Sequence, residues 1–261
     1  MRGELCVSAA TILSLTSLLL LIFVHVSQLN TSSVPRSISL VKIDVSAYGA
    51  ALHKAFIDDI DGLYTPNASA PLEAGEGLRQ FYFFGLYSHC AYLNDSTTTN
   101  GTAGKCTNTS IRNEFTPYTA LTSDMLANYT TVTNFILGET TFANSDSWGH
   151  TSRAASAMLL LGTICAAVSL FTGVFRRNFT FFLSSFTAVI GSIFVLISAT
   201  IWTVMIKRAE SINTALISGS TPIPVGIVVS IGKGLFLMWA AFVTLLVSVV
   251  PYMISCCTFR G

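Results

Sequence analysis

Charge is scarce in this chain. Asp, Glu, Lys and Arg make up 10% of its 261 residues, where a soluble domain carries about 25%. With 51% hydrophobic residues and a mean hydropathy of +0.62, too little polar surface remains to coat a water-soluble globule. The net charge of +1 gives no electrostatic reason to expect a nucleic-acid partner or an acidic substrate. Histidine is thin as well: His25, His53, His89 and His150 never pair at metal-ligand spacing. No local Ser/His/Asp signature points to nucleophilic catalysis. Neither an enzyme, a cofactor nor a small-molecule substrate is expected.

Long apolar runs are present instead. Four are long enough to cross a hydrocarbon core, which takes about 20 residues. The predicted layout is a cytoplasmic N-terminus (1–4), a first span (5–29), a long outer loop (30–153) and a second span (154–175). A short cytoplasmic turn (176–178), a third span (179–206), a second outer loop (207–233), a fourth span (234–257) and a cytoplasmic C-terminus (258–261) follow. The first run is read as an uncleaved helix, because it exceeds a signal-peptide core and no A-x-A-like site follows it. No Asp, Glu, Lys or Arg lies inside any span. A channel or transporter would place such groups at membrane depth, so conduction by a single chain is disfavoured.

Lys and Arg barely orient the chain, because both arrangements of the short segments carry similar numbers. Glycosylation sequons decide. N-x-S/T occurs at Asn30, Asn67, Asn94, Asn100, Asn108 and Asn128, all in the long loop, and otherwise only at Asn178 in the two-arginine turn. That distribution predicts an exoplasmic loop in a secretory-pathway protein. The outer loops then hold 10 Lys/Arg and 12 Asp/Glu, and the inner segments 4 and 1. Only Cys90 and Cys106 lie in the long loop, where an oxidising compartment lets them pair, two free thiols being the alternative. His89 beside Cys90 suggests an activated thiol, which pairing would forbid. Cys256 and Cys257 at the inner surface are S-palmitoylation candidates, with inert thiols the other reading. Asp58, Asp59, Asp61 and Gly62 resemble a calcium loop. Ile57 and Ala68, however, occupy the first and twelfth positions where an EF-hand needs acids, and a solvated turn is expected.

Within the long loop, Ser37–Ser46 alternates β-branched residues and predicts a strand, Ala47–Ile60 a helix, and Leu78–Leu93 a second strand. Asn94–Gly104 reads as a polar turn, and Tyr118–Leu137 as a helix leading past Trp148, placed for an interfacial belt. The third span keeps helical spacing through Ile212 and Leu216 to Gly219, and Thr221-Pro222 resembles a new helix start. A helical hairpin over 207–233 is therefore expected, with one helix about 58 Å long from Phe179 to Ile217. Ser184, Ala188 and Ser192 form a small-residue stripe suited to bundle packing or to self-association.

One element is more specific. Phe81 and Tyr82 precede Gly85-Leu86-Tyr87-Ser88-His89-Cys90, and Cys106 follows. This resembles the G-L-aromatic-x-x-C…C element of claudin-type tetraspan proteins, and LRQFYFFGLYSHC is similar to the F-Y-x-x-G-L-W-x-x-C signature of the fungal Sur-seven/PalI family. Tyr87 stands where that family usually has Trp. The resemblance implies a claudin-like membrane protein, mainly α, with a four-helix transmembrane bundle and a small extracellular first loop containing a β-sheet. It further implies a non-enzymatic plasma-membrane organiser of cortical domains, the eisosome among them, related to endocytosis, the cell wall or cell fusion. Its expected partners are membrane lipids and other membrane proteins, including copies of itself. The alternative is an accessory subunit of a channel or of a pH-response sensing complex. Many family members carry a long cytoplasmic tail, whereas four residues follow Cys257 here, which counts against a signalling role.

Overall fold

The charge-free runs become helices, and the punctuated stretch between the first two becomes a sheet flanked by short helices. The computed structural model describes residues 2–56, 61–93, 104–111, 113–138, 140–143, 145–174, 178–217 and 222–258. The first half of the chain holds α1 (Arg2–Val26), α2 (Ser33–Ser37), β1 (Val41–Asp44), α3 (Tyr48–Phe56), β2 (Phe81–Phe84), β3 (His89–Tyr92), β4 (Gly104–Cys106), α4 (Pro117–Asp124) and α5 (Ala127–Leu137). The second half holds α6 (Ser145–Val174), α7 (Asn178–Ala209), β5 (Leu216–Ile217), β6 (Ile223–Pro224), β7 (Val228–Ile231) and α8 (Lys233–Thr258). Two compact units are interleaved in sequence, one from 1–25, 154–202 and 235–261, the other from 26–153 and 203–234.

The first unit is helical. Four helices are long and apolar enough to cross a membrane, over Cys6–Val26, Ser147–Val174, Thr180–Thr214 and Lys233–Met253. Ile12, Phe171, Phe182 and Phe236 are each more than 60% exposed, the outward apolar surface that lipid tolerates. Several serines turn inward, while outward threonines such as Thr16 and Thr200 donate to their own helix carbonyls, because hydrocarbon offers polar groups no partner. Ser14 Oγ lies 3.1 Å from Tyr252 Oη, and Ser17 donates to the Ala241 carbonyl at 2.8 Å. Ser169 and Ser184 donate to one another's carbonyls at 3.0 and 2.7 Å. The stripe Ser184, Ala188 and Ser192 is buried within this unit, and a Cβ on Gly191 would come 2.9 Å from Cys165 Cβ. Small residues here let α6 and α7 approach closely, so the stripe is an internal seam and is not available as a self-association face.

The second unit is built on a five-stranded antiparallel sheet in the order β4-β3-β2-β1-β7. Val41 and Ile43 are the buried alternate side chains of β1, and Val45 just beyond it is buried too, as a half-buried strand requires. The segment 78–93 is two strands: the Gly85 N–H donates to the Ser88 carbonyl at 2.9 Å, closing a turn between β2 and β3. Likewise 118–137 divides into α4 and α5 around Met125. Trp148 is buried, stacked on Phe115 at 6.1 Å between centroids and edge-on to Phe142 at 6.3 Å. It is a core residue of this unit, and its expected place in an interfacial belt is corrected accordingly. Asp58, Asp59 and most of the 94–104 turn lie outside the described residues.

The expected helical hairpin over 207–233 is overturned. α7 ends at Ala209, a 3-10 turn covers Glu210–Thr214, and the rest of the described segment is β5, β6 and β7. The apolar residues that suggested a helix are β-branched, and Val228, Val229 and Ile231 pair with β1 in the register Asp44↔Val228 to Val41↔Ile231. Asn213 fixes the other edge. Its Oδ1 accepts the Val229 N–H at 2.7 Å and its Nδ2 donates to the Val229 carbonyl at 2.9 Å, imitating a neighbouring strand. Gly226, at φ +78, makes the turn into β7 where a Cβ would meet the Ala47 carbonyl at 2.7 Å.

Candidate functional site: the cystine-linked hairpin

The aromatic motif maps onto one hairpin. Gly85, Leu86, Tyr87 and Ser88 are its turn, and Cys90 on β3 lies directly opposite Cys106 on β4, joined to it by a disulfide. Glycine is required at 85 by close approach, since a Cβ there would stand 2.3 Å from the Ser27 carbonyl oxygen. Leu86 is buried, and Tyr87 half-buried with its phenol pushed up by burial. Phe83 packs against Cys90 and Tyr92, its ring 5.2 Å from that of Tyr92. On the same face the Lys42 ammonium sits 4.9 Å from the Phe81 ring and 5.4 Å from Phe83, an attraction of about 0.5–2 kcal/mol. The motif aromatics are thus mostly the core of the sheet, with Phe81 and Tyr87 the partly open members.

Gln28, which the sequence reading absorbed into the first span, ties this hairpin to the chain that precedes β1. It is fully buried in the left-handed region, at φ +53. Its Nε2 lies 2.9 Å from the Arg36 and Ile38 carbonyls and 3.2 Å from that of Pro35. Its own carbonyl accepts the Ser88 hydroxyl at 2.5 Å, and Tyr92 Oη donates to its Oε1 at 3.4 Å. A buried amide with this many partners fixes a connection. The only sequence signal for it is a polar residue at the end of an apolar run.

A second buried polar cluster binds the 61–80 segment to α4. Tyr82 donates to Asp124 Oδ2 at 2.6 Å, the Glu73 N–H to Asp124 Oδ1 at 2.5 Å, and Arg79 Nη1 lies 3.8 Å from Asp124 Oδ2. Arg79 Nη2 donates to the Ala70 carbonyl at 2.5 Å. Arg79 is 1% exposed and Asp124 2%. Burial raises the Asp124 carboxyl, opposed by these hydrogen bonds and by Arg79, while burial and then Asp124 drive the Tyr82 phenol well up.

His89 stacks on Phe84 at 4.9 Å, and its Nε2 lies 3.8 Å from the Glu73 carboxylate. Burial pushes its imidazole down to about 4. The folded chain refuses a proton that the unfolded chain accepts below about 6.5. Stability is therefore full above that pH and falls as the pH drops toward 4. Between pH 7.5 and pH 5, thermal unfolding should show a loss of about 2 kcal/mol from this group, which His89→Gln removes.

The described sequons Asn30, Asn67, Asn108 and Asn128 are all exposed; Asn94 and Asn100 lie outside the described residues. Cys256 and Cys257 fall in the last turns of α8. Thus the structure brings Gly85, Leu86, Tyr87, Cys90 and Cys106 together on the adjoining strands β2, β3 and β4 and their turn, and leaves the described sequon asparagines at separate surface positions. No curated protein matches the chain. A family model described as the SUR7/PalI family matches residues 6–251, from α1 to Pro251 in α8. Four spanning helices, a small antiparallel sheet and that match over nearly the whole chain make this a multi-pass, claudin-like membrane protein belonging to the SUR7/PalI family.

Proposed function

We propose that the chain is a non-enzymatic organiser of the plasma membrane. Its lateral protein and lipid contacts gather it into cortical domains concerned with endocytosis, the cell wall or cell fusion. Family membership supports a membrane protein of cortical patches or of the pH response. The observation that carries the organiser reading is the closure of the helices' polar groups on one another while apolar residues such as Phe171 and Phe236 face outward. Such helices have lateral surface to offer, and their spans hold no Asp, Glu, Lys or Arg to line a path. In this reading both termini are cytoplasmic, the sheet unit is exoplasmic, and Asn30, Asn67, Asn94, Asn100, Asn108 and Asn128 carry sugar. Cys256 and Cys257 are lipidation sites at the inner leaflet. The exposed asparagines and the disulfide support that sidedness.

Fluorescent tagging of the full chain in its native cell tests the proposal. Static cortical patches that persist when any single partner is deleted are the expected result. A diffuse signal lost with one partner would replace the organiser by an accessory subunit.

A further inference from the structure

We infer that the sugar on Asn108 folds back into the groove it borders and clamps the two segments that form its walls. This rests on the exoplasmic reading above. The groove holds about 360 Å³, near the lower end of small-molecule pockets and enough for roughly one or two sugar rings. One wall is Pro71, Leu72 and Glu73; the other is Lys105, Cys106 and Asn108. Asn108 is the acceptor of its own sequon, with Ser110 two residues on.

Its loop is held from both sides. The Thr107 N–H donates to the His89 carbonyl and the Ser110 N–H to the Tyr87 carbonyl, each at 2.9 Å. The attachment point is therefore fixed against β3 while the asparagine itself is exposed. Across the groove Glu73 is one of the non-glycine residues with positive φ, at +62, a conformation that costs energy and gathers at binding sites. The bond from its N–H to buried Asp124 holds it there.

The wall chemistry suits a neutral pyranose. The Glu73 carboxylate accepts from sugar hydroxyls, Lys105 donates to them, and Asn113 can do both. Pro71 and Leu72 offer an apolar strip to the ring face or the N-acetyl methyl. Each wall has its own anchor, 71–73 on Asp124 and 105–108 on β3, so a bound core sugar would couple them and cover the Cys106 edge of the disulfide.

Full-length protein is made in a eukaryotic host that leaves high-mannose glycans, and purified in mild detergent. Glycopeptide mass spectrometry gives occupancy at each sequon, and hydrogen exchange reads the amides of residues 72–73 and 105–108. Endoglycosidase H leaves one N-acetylglucosamine and should leave exchange unchanged. Complete removal by PNGase F should speed it roughly tenfold, as should Asn108→Gln or Ser110→Ala, the latter sparing the asparagine. Asn67→Gln and Asn128→Gln should have no effect on these amides. Occupancy at Asn67 or Asn128 with none at Asn108 overturns the inference and leaves the sidedness standing. An occupied Asn108 whose removal changes nothing overturns it as well. If no sequon is occupied, the exoplasmic reading fails and takes this one with it.

Discussion

Asp124→Ala should destabilise the sheet unit by about 3–5 kcal/mol, the cost of removing one partner from a buried charged pair. That is a large share of the roughly 5–15 kcal/mol a domain holds in reserve. The loss has three parts. Arg79, 1% exposed, keeps its charge and loses its counter-ion. Tyr82 keeps a buried hydroxyl with no acceptor, and the Glu73 N–H loses the oxygen that holds its positive-φ backbone. The 61–80 segment is otherwise tied to α4 by the Gly75 N–H on the Ser123 carbonyl at 2.9 Å and the Gly77 N–H on the Asp124 carbonyl at 2.7 Å. Those two amides should therefore lose protection from hydrogen exchange, and limited proteolysis should cut between 61 and 80. The double variant Arg79→Met, Asp124→Asn removes both charges while leaving an amide oxygen to accept from Tyr82 or Glu73. It should recover at least half of the loss. A double variant as unstable as Asp124→Ala would show that shape, and not an orphaned charge, sets the cost.

This cluster shows which features a sequence exposes and which it hides. The spans were legible because a run bounded by Arg153 and Arg176, or closed by Lys207 and Arg208, meets a length criterion that needs no knowledge of partners. The cystine is legible because Cys90 and Cys106 are the only cysteines between the first two apolar runs. Arg79 and Asp124 are 45 positions apart, (124 − 79), in a stretch where every charge looks solvated, and nothing local says that both are buried. Gln28 was hidden differently, since a polar residue at a helix end ordinarily meets water. In 223–232 local and tertiary preferences conflict. An apolar run after Thr221-Pro222 reads as a helix start, yet its β-branched residues are claimed by β1, between 184 (228 − 44) and 190 (231 − 41) positions away. Strand pairing of that range leaves no periodic trace. The motif aromatics were recognised as a cluster, but whether Phe83 and Leu86 face a neighbour or the sheet's own core depends on a turn at Gly85. That turn, closed by the Gly85 N–H on the Ser88 carbonyl, needs glycine because the Ser27 carbonyl leaves no room for a side chain.

Removing the disulfide should cost roughly 3 kcal/mol, the chain-entropy value for a loop of this length, the cysteines being 16 residues apart. The effect should be concentrated at one edge. β4 is three residues long and, among the described residues, pairs with β3 alone, and its Gly104 packs so closely on Tyr92 that a Cβ would lie 2.2 Å from the ring. Besides the covalent bond, so short an edge strand has three ladder pairs and the Thr107 N–H on the His89 carbonyl to keep it in register. Cys106→Ser should therefore release β4, open the face of Phe83 and Tyr92 that the sulfurs cover, and disperse the groove wall at Lys105 and Asn108. In a cell the expected result is retention of an immature glycoform with little protein at the surface, because an exposed aromatic face is held back by quality control. Cys90→Ala with Cys106→Ala should behave like the single variant, which separates the lost cross-link from the reactivity of an unpaired thiol. Normal delivery and an unchanged glycoform in either variant would mean that hydrogen bonds and aromatic packing hold the edge unaided. The role assigned to the cystine in organising the hairpin would then fall.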